Sequence, residues 1–135
     1  MEKTVKIGEK KCNLKTNAAL PRLYRILLGR ELFEDMGQLL KTVGDVYGSQ
    51  VDEEKEAPPI GDQLNLLTLL ENITFAMHKN GDPAQPDTVE QWLANFEDEA
   101  ALHDPAVLTA VIDLWNHEAE QKSRPKKKKD PSTEK

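Results

Sequence analysis

The side chains that most often bind metal ions or transfer protons are sparse in this sequence. It contains three histidines, His78, His103 and His117, and the closest two are 14 positions apart. Two metal ligands on one helix face are typically four positions apart, so the histidine spacing does not predict a metal site. Each histidine lies near the end of a predicted helix, where we expect an imidazole exposed to solvent.

Carboxylates are abundant, but they are not arranged for acid–base catalysis. They occur as Glu31, Glu34 and Asp35, in the run DEEKE at 52–56 and in the run EDEA at 97–100. A catalytic pair requires burial and convergence that separate two pKa values, and these runs lie among polar residues. We therefore interpret all of them as solvated surface.

The single cysteine, Cys12, lies on the apolar side of a predicted strand. Neither a histidine nor a helix N-terminus stands beside it in the sequence, so an activated thiolate is not predicted. We interpret Cys12 as a small core residue. One cysteine excludes an intrachain disulfide, which fits a protein of a reducing cytoplasm.

The sequence also lacks the glycine-rich loops and serine motifs of common enzyme classes. The segment GSQVDEEKEAPPIG at 48–61 has glycine at both ends, but its acidic middle would repel a phosphate group. No nucleophile elbow surrounds any serine. We therefore expect a protein that is not an enzyme, with no catalytic residue, no metal and no cofactor.

The first 15 residues alternate between apolar and polar side chains in two short runs. Val5 and Ile7 share one side of the first run, and Cys12 and Leu14 share one side of the second. This period of two, with GEKK between the runs, predicts a β-hairpin with Gly8 in its turn. A two-stranded hairpin is marginal alone, so it must pack on helices or pair with another chain.

From residue 16 onward the apolar residues recur every three to four positions, which predicts about five helices. The predicted segments are 16–30, 31–48, 62–79, 87–98 and 104–122, with a loop over 48–61. The third is the most apolar and should be the central helix. The second carries its apolar stripe on Leu32, Phe33, Met36, Leu39, Leu40 and Val43.

Residues that favour helix ends support these boundaries. The predicted N-caps are Thr16 or Asn17, Asp62, Asp87 or Thr88, and Asp104, with Pro105 at the first position of the last helix. Gly29 either ends or bends the first helix. The predicted fold is mainly α: a small helical bundle in one domain over 1–122, with an N-terminal β-hairpin (1–15) and a disordered basic C-terminal tail over 123–135.

The charge is divided unequally along the chain. The whole sequence carries −6, but residues 123–135 hold six basic and two acidic residues, so residues 1–122 carry −10. An acidic body opposes binding to phosphate backbones, so nucleic acid is an unlikely partner class. No apolar run is long enough to span a bilayer, and the N-terminus lacks the apolar core of a signal peptide. We expect a soluble intracellular protein without a membrane partner.

Three aromatic residues, Trp92, Phe96 and Trp115, occupy helical stripes. Such stripes are more often core than interface, but they also serve as anchors for a partner helix. A bundle this small has few places to bury all its apolar residues, so both interpretations stand. Pairing of hairpin edges between chains would also allow a homo-oligomer.

The segment TVKIGEKKCNLKTNAALPRLYRILLGRELFEDM resembles the N-terminus of tail assembly chaperones of siphophages and prophages of Gram-positive bacteria. The shared pattern is carried by Arg22, Tyr24, Arg25, Leu28, Gly29, Arg30, Glu31 and Leu32. The later segments FAMHKNGDP, VEQWLANFE and DLW, followed by a lysine-rich end, also look like this family. The similarity extends over about residues 4–120.

The resemblance implies binding rather than catalysis. Proteins of this family coat the long helical tape measure protein in the host cytoplasm, keep it soluble until the tail tube assembles, and are not retained in the mature virion. By this resemblance the client is a tape measure protein. We take Arg22, Tyr24, Arg25, Trp92, Phe96 and Trp115 as the candidate partner-binding residues.

The family also implies a role for the gene segment that encodes the lysine run. In many of these phages a programmed frameshift near the end of the gene yields a longer product, whose extension recruits the tail tube protein. We therefore expect A-rich slippery codons under Lys126–Lys129 and an open −1 frame beyond them. Two alternatives are a phage structural or connector protein, which would occur in purified virions, and an adaptor that contacts nucleic acid through the lysine tail.

Overall fold

A computed structural model describes residues 1–47 and 60–123, and the side chains of 1–45 and 65–116 among them. The elements are β1 (Glu2–Ile7), β2 (Lys10–Lys15), α1 (Leu20–Leu28), α2 (Leu32–Tyr47), α3 (Ile60–Gly81), α4 (Val89–Leu93), a 3-10 turn (Ala101–His103) and α5 (Pro105–Ser123). The predicted helical bundle with an N-terminal hairpin is confirmed. Most of the predicted loop and tail lies outside the described residues, but Ile60, Gly61 and Ser123 are helical.

The hairpin forms because two alternating runs place all their apolar side chains on one side. β1 and β2 are antiparallel, with Val5 opposite Cys12, and Gly8 lies in the connecting turn at φ 61°. A positive φ favours glycine, because a side chain is strained in that conformation. The four predicted inward residues, Val5, Ile7, Cys12 and Leu14, are all buried, so the predicted apolar side of the hairpin and the core role of Cys12 are confirmed.

The most apolar helix, α3, lies at the centre as predicted. Every side chain from Ile73 to His78 is buried, which covers all sides of the helix over more than one turn. α3 packs against β2, α1, α2, α4, the 3-10 turn and α5, and α5 also packs against β1. No helix within residues 1–47 and 60–123 combines the length and apolar character that crossing a bilayer requires.

The two ends of α1 differ in how well the sequence predicted them. Gly29 ends the helix in a left-handed conformation, and its N–H donates to the carbonyl of Arg25 at 2.8 Å. The predicted side-chain N-cap at Thr16 or Asn17 is wrong, because α1 begins at Leu20 and its N-cap residue makes no side-chain capping bond. The Thr16 N–H instead donates to the carbonyl of Met1 at 2.8 Å, at the open end of the hairpin.

The starts of α4 and α5 follow the sequence closely. The Thr88 hydroxyl accepts a hydrogen bond from the Gln91 N–H at 3.1 Å, which confirms Thr88 rather than Asp87 as the N-cap. The Asp104 carboxylate accepts one from the Ala106 N–H at 3.0 Å, and Pro105 is the first helical residue. α3 begins at Ile60, so Asp62 lies inside the helix rather than at its N-cap.

The C-terminal end of α3 lies against the backbone of β2. The Asn80 side-chain amide donates to the Lys15 carbonyl at 3.0 Å and to the Asn17 side chain at 3.1 Å. At the next residue, a Cβ on Gly81 would overlap the carbonyl oxygen of Asn13 and lie 3.2 Å from its carbonyl carbon. Glycine is therefore required at 81 for helix and strand to approach this closely.

Gly81→Ala should lower the free energy of unfolding by about 1 to 3 kcal/mol, because the added methyl group must displace a backbone carbonyl. Gly37→Ala is the matched control, since a Cβ at Gly37 meets no atom within 4 Å. In that helix interior alanine should stabilise by about 0.5 to 1 kcal/mol. Urea denaturation of both variants measures the effects, and equal changes of the same sign would contradict the close approach.

Candidate partner-binding surface

The corner between α1 and α2 contains a buried carboxylate with two donors. The Asp35 side chain is 3% exposed and accepts two hydrogen bonds from Arg30, each at 2.7 Å, in a bidentate pair. The Tyr24 hydroxyl donates to the same carboxylate at 2.5 Å. A carboxylate in this position is stabilised by a planar guanidinium and a phenol together, so both helices are held at one angle.

This cluster corrects two predictions made from the sequence. Asp35 was expected to be solvated surface, but it is buried in the α1–α2 corner. Tyr24 was a candidate partner-binding residue, but its side chain is 0% exposed and its hydroxyl is committed to Asp35. In the family-like pattern, Tyr24 and Arg30 therefore both hold the α1–α2 corner together through Asp35.

The protonation of the cluster follows from its contacts. The Arg30 hydrogen bonds hold the pKa of Asp35 below its usual value, although burial acts in the opposite direction. Burial, followed by the hydrogen bond to Asp35, raises the pKa of Tyr24. The carboxylate is therefore charged and the phenol neutral around pH 7.

The other two arginines of the pattern lie on the outer side of α1. Arg25 forms an exposed bidentate pair with Glu31 at 3.0 and 3.2 Å, across the turn that follows the helix. Arg22 is exposed one helical turn before Ile26, which is 68% exposed. These two arginines are accessible, as a partner-binding role requires.

The candidates Trp92 and Phe96 are brought together, but only one reaches the surface. Trp92 is 0% exposed and donates from Nε1 to His78 Nδ1 at 2.9 Å, so it is a core residue rather than an anchor. His78 was expected to be exposed and is instead 5% exposed. Phe96 is half-buried and packs edge-on against Trp92, with ring centroids 4.9 Å apart.

The side chain of Lys79 holds the loop that follows α3. Its ammonium donates to the carbonyl of Pro83 at 2.9 Å, to the carbonyl of Gln85, and to the Asp87 carboxylate at 2.9 Å. Asp82 accepts from the Ala84 N–H and from the Gln85 amide within the same loop. The segment HKNGDP of the resemblance thus orders the connection between α3 and α4.

A strip of accessible apolar surface follows one side of α2. Phe33, Gly37, Leu40 and Gly44 recur at helical spacing, and a Cβ at either glycine meets no atom of the described residues within 4 Å. Phe33 is 56% exposed, and its ring packs edge-on against Trp115 at 5.4 Å between centroids. We call Phe33, Gly37, Leu40 and Gly44, together with Trp115 of α5, the α2 strip. Trp115 is the only one of the six candidate partner-binding residues that belongs to it.

Phe33 and Ile26 are the accessible apolar residues that the sequence interpretation missed. Phe33 was assigned to the buried stripe of α2, but the buried side of the helix runs through Leu32, Asp35 and Met36, and Phe33 is 56% exposed. Ile26 does not share the helical spacing of Leu20, Tyr24 and Leu27. This difference could have predicted its exposure from the sequence. Both residues extend the candidate surface beyond the six residues named from the sequence.

No protein-family model, curated protein or solved structure matches this chain. Among the residues that the structure describes, no group of three or more His, Cys, Asp or Glu side chains is placed to hold a metal ion.

Arg30→Ala should lower the free energy of unfolding by about 2 kcal/mol at pH 7, because a buried carboxylate loses two charge-assisted hydrogen bonds. Arg25→Ala is the control and should have a much smaller effect, because its pair with Glu31 is exposed. The cost of Arg30→Ala should shrink as the pH falls through the depressed pKa of Asp35, where the carboxyl becomes protonated. Denaturation at pH 7 and pH 3 tests this; equal costs for the two variants would contradict it.

His78 should make stability fall on acidification. Burial lowers its pKa in the folded protein, despite the nearby Asp82 carboxylate, so below about pH 6.5 the unfolded chain takes up the proton more readily than the folded protein. The free energy of unfolding should therefore drop between pH 7 and pH 5.5, by at most about 1.4 kcal/mol per pH unit. The His78→Gln variant should show a flatter profile over this range, and an unchanged slope would contradict a neutral, buried imidazole.

Proposed function

We propose that this protein is a tail assembly chaperone that binds a long helical tape measure protein and keeps it soluble. The sequence resemblance supports the class. The observation in the structure that supports a binding role is the α2 strip, an accessible apolar surface with open space above two glycines. An amphipathic helix places its apolar residues into such a surface with anchors at helical spacing.

The energetics of the strip favour a helical client. Glycine in a helix interior costs about 1 kcal/mol relative to alanine, and within the described part of the chain Gly37 and Gly44 make no close contact that would offset this cost. Glycine is useful where another backbone must approach closely. Phe33 and Trp115 place aromatic surface beside these glycines. Aromatic residues are among those that dominate the binding energy at interfaces.

The charge supports the solubilising part of the proposal. Residues 1–122 carry a net charge of −10, and a tape measure helix exposes apolar stripes that promote aggregation. A complex that covers those stripes and displays this charge would repel other complexes. The frameshifted extension that recruits a tail tube protein stays an expectation, to be checked in the codons for Lys126–Lys129.

Gly37→Glu should abolish solubilisation of the client, because a charged side chain would fill the open space of the strip. The measurement is co-expression with the long helical protein encoded directly downstream, followed by the soluble fraction and co-purification of that protein. Gln38→Glu is the matched control: it adds the same side chain at an exposed neighbouring position that points away from the strip.

Both variants should stay folded, because neither introduced side chain enters the core. Gly37→Glu should unfold at a slightly higher urea concentration than the parent protein, because it replaces a glycine in a helix interior. Loss of the client with Gly37→Glu and retention with Gln38→Glu would support the strip. Retention with both would overturn the strip as the binding surface. An insoluble client with the parent protein would overturn the chaperone role itself.

A further inference from the structure

The outer edge of β1 is an open strand edge. At the open end of the hairpin, the Met1 ammonium donates to the Thr16 carbonyl at 2.8 Å, and the Thr16 N–H donates to the Met1 carbonyl at 2.8 Å. Opposed residues of an antiparallel pair alternate between bonded and non-bonded positions, so the odd-numbered residues of β1 bond to β2. The backbone groups of Glu2, Thr4 and Lys6 therefore point away from β2.

The outer edge of β2, in contrast, is covered by the C-terminal end of α3. The Lys15 carbonyl accepts the hydrogen bond from Asn80, and the Asn13 carbonyl lies against Gly81. By the same alternation, both carbonyls point away from β1. Within the described residues no helix supplies a comparable hydrogen bond to the outer edge of β1, whose outward-pointing residues are all exposed.

An open edge of this kind can accept a further strand. The outward N–H and C=O groups of β1 are the donors and acceptors that an extended peptide uses when it adds to a sheet. Lysines along an edge discourage pairing with apolar or basic strands. The charge of the incoming strand therefore decides which segment the edge accepts.

The solvent-facing side of the hairpin favours an acidic strand. The register places Lys6 directly opposite Lys11, and neither forms an ion pair within the described residues. Glu2 does not neutralise them, because its carboxylate pairs with Lys15 at 3.9 Å and accepts from the Asn13 amide at 2.8 Å. Like charges directly opposite each other on a sheet are destabilising, so a carboxylate beside Lys6 would relieve the repulsion.

Charge also separates the candidate occupants of the edge. Residues 1–15 hold five lysines and two glutamates, a net charge of +3, so the −10 of residues 1–122 leaves −13 for residues 16–122. Pairing of two β1 edges would bring two positive hairpins together. A nucleic acid would meet the acidic remainder of the molecule, and its phosphates offer no donors for the outward carbonyls. An acidic peptide matches both the edge and the lysines.

We propose that the outer edge of β1 binds an extended, acidic segment of another protein as an added strand. The segment bonds through its backbone to Glu2, Thr4 and Lys6, and its carboxylates lie on the solvent-facing side of the sheet. The site involves no residue of the α2 strip, so it holds or fails independently of the proposed chaperone function. Its ion pairs are exposed, so binding should weaken with salt.

The probe is a peptide matched in length to β1, in which glutamate and threonine alternate, and its control carries lysine in place of each glutamate. Each peptide is added to the full chain in low salt, and backbone amides are followed by NMR and hydrogen exchange. In the free protein the Thr4 and Lys6 amides should exchange rapidly, whereas the bonded Val5 and Ile7 amides should exchange slowly. The acidic peptide should shift and protect Thr4 and Lys6, and the lysine peptide should not.

Two variants of the full chain test the backbone and the charge separately. Thr4→Pro removes an outward N–H without removing a ladder bond, so it should abolish binding, whereas Thr4→Ala keeps the N–H and should bind. Lys6→Glu should bind the acidic peptide at least about fivefold more weakly and gain binding of the lysine peptide. Lys41→Glu, on the exposed side of α2, is the control charge reversal and should bind as the parent does. Slow exchange of the Val5 and Ile7 amides shows that the hairpin is intact in each variant.

Four outcomes would overturn the proposal. Slow exchange of the Thr4 and Lys6 amides in the free protein would mean that a second copy or another part of the chain already covers the edge. Equal binding of the acidic and lysine peptides would exclude the charge preference. Unchanged binding in Thr4→Pro and Lys6→Glu would place the peptide elsewhere. An oligonucleotide that shifts Lys6 and Lys11, where the acidic peptide does not, would assign these lysines to nucleic acid.

Discussion

The burial of α3 on all sides is the constraint on which the rest of the structure depends. Six consecutive residues, Ile73 to His78, are buried, and no single neighbouring helix covers more than one side of another. The hairpin, α1, α2, α4 and α5 must therefore each approach from a different direction. Every one of these elements has one side committed to α3, and the outer sides of α1 and α2 stay accessible to a partner.

The polar contacts within the core restrict how those elements are arranged. Apolar packing alone tolerates small rotations of a helix, but a bidentate pair such as Arg30–Asp35 holds only in one geometry. The hydrogen bond from Trp92 to His78 acts in the same way between α4 and α3. Our hypothesis is that these buried polar groups contribute more to a unique arrangement of the helices than to net stability.

Much of the fold was predictable because local signals agreed with one another. The alternation in 1–15, Gly29, Thr88 and Asp104 each acted where the sequence placed them, since turns and caps depend on near neighbours. The errors concern residues whose environment is set by distant parts of the chain. Asp35 and His78 are polar types buried by tertiary partners, and Phe33 is an apolar type left exposed beside the buried side of α2.

The accessible surface could be predicted only in part for the same reason. Three of the six candidate residues, Trp92, Phe96 and Trp115, were chosen for their aromatic type and their position in a helical stripe. Trp92 and Phe96 occupy the same stripe but differ in exposure. That the space above Gly37 is open can be seen only once the neighbouring elements are in place. A pattern in one helix does not specify which of its sides the other helices cover.

The hairpin has a consequence for how the chain is made. Its apolar side is synthesised well before its partners: Asn80 follows Lys15 by 65 positions, and Asp113 follows Lys3 by 110. A nascent chain therefore carries an uncovered, lysine-rich hairpin until most of the domain has left the ribosome. Contacts of such long sequence separation slow folding. The lysines on β1 and β2, which discourage pairing with other strands, protect the chain during that interval.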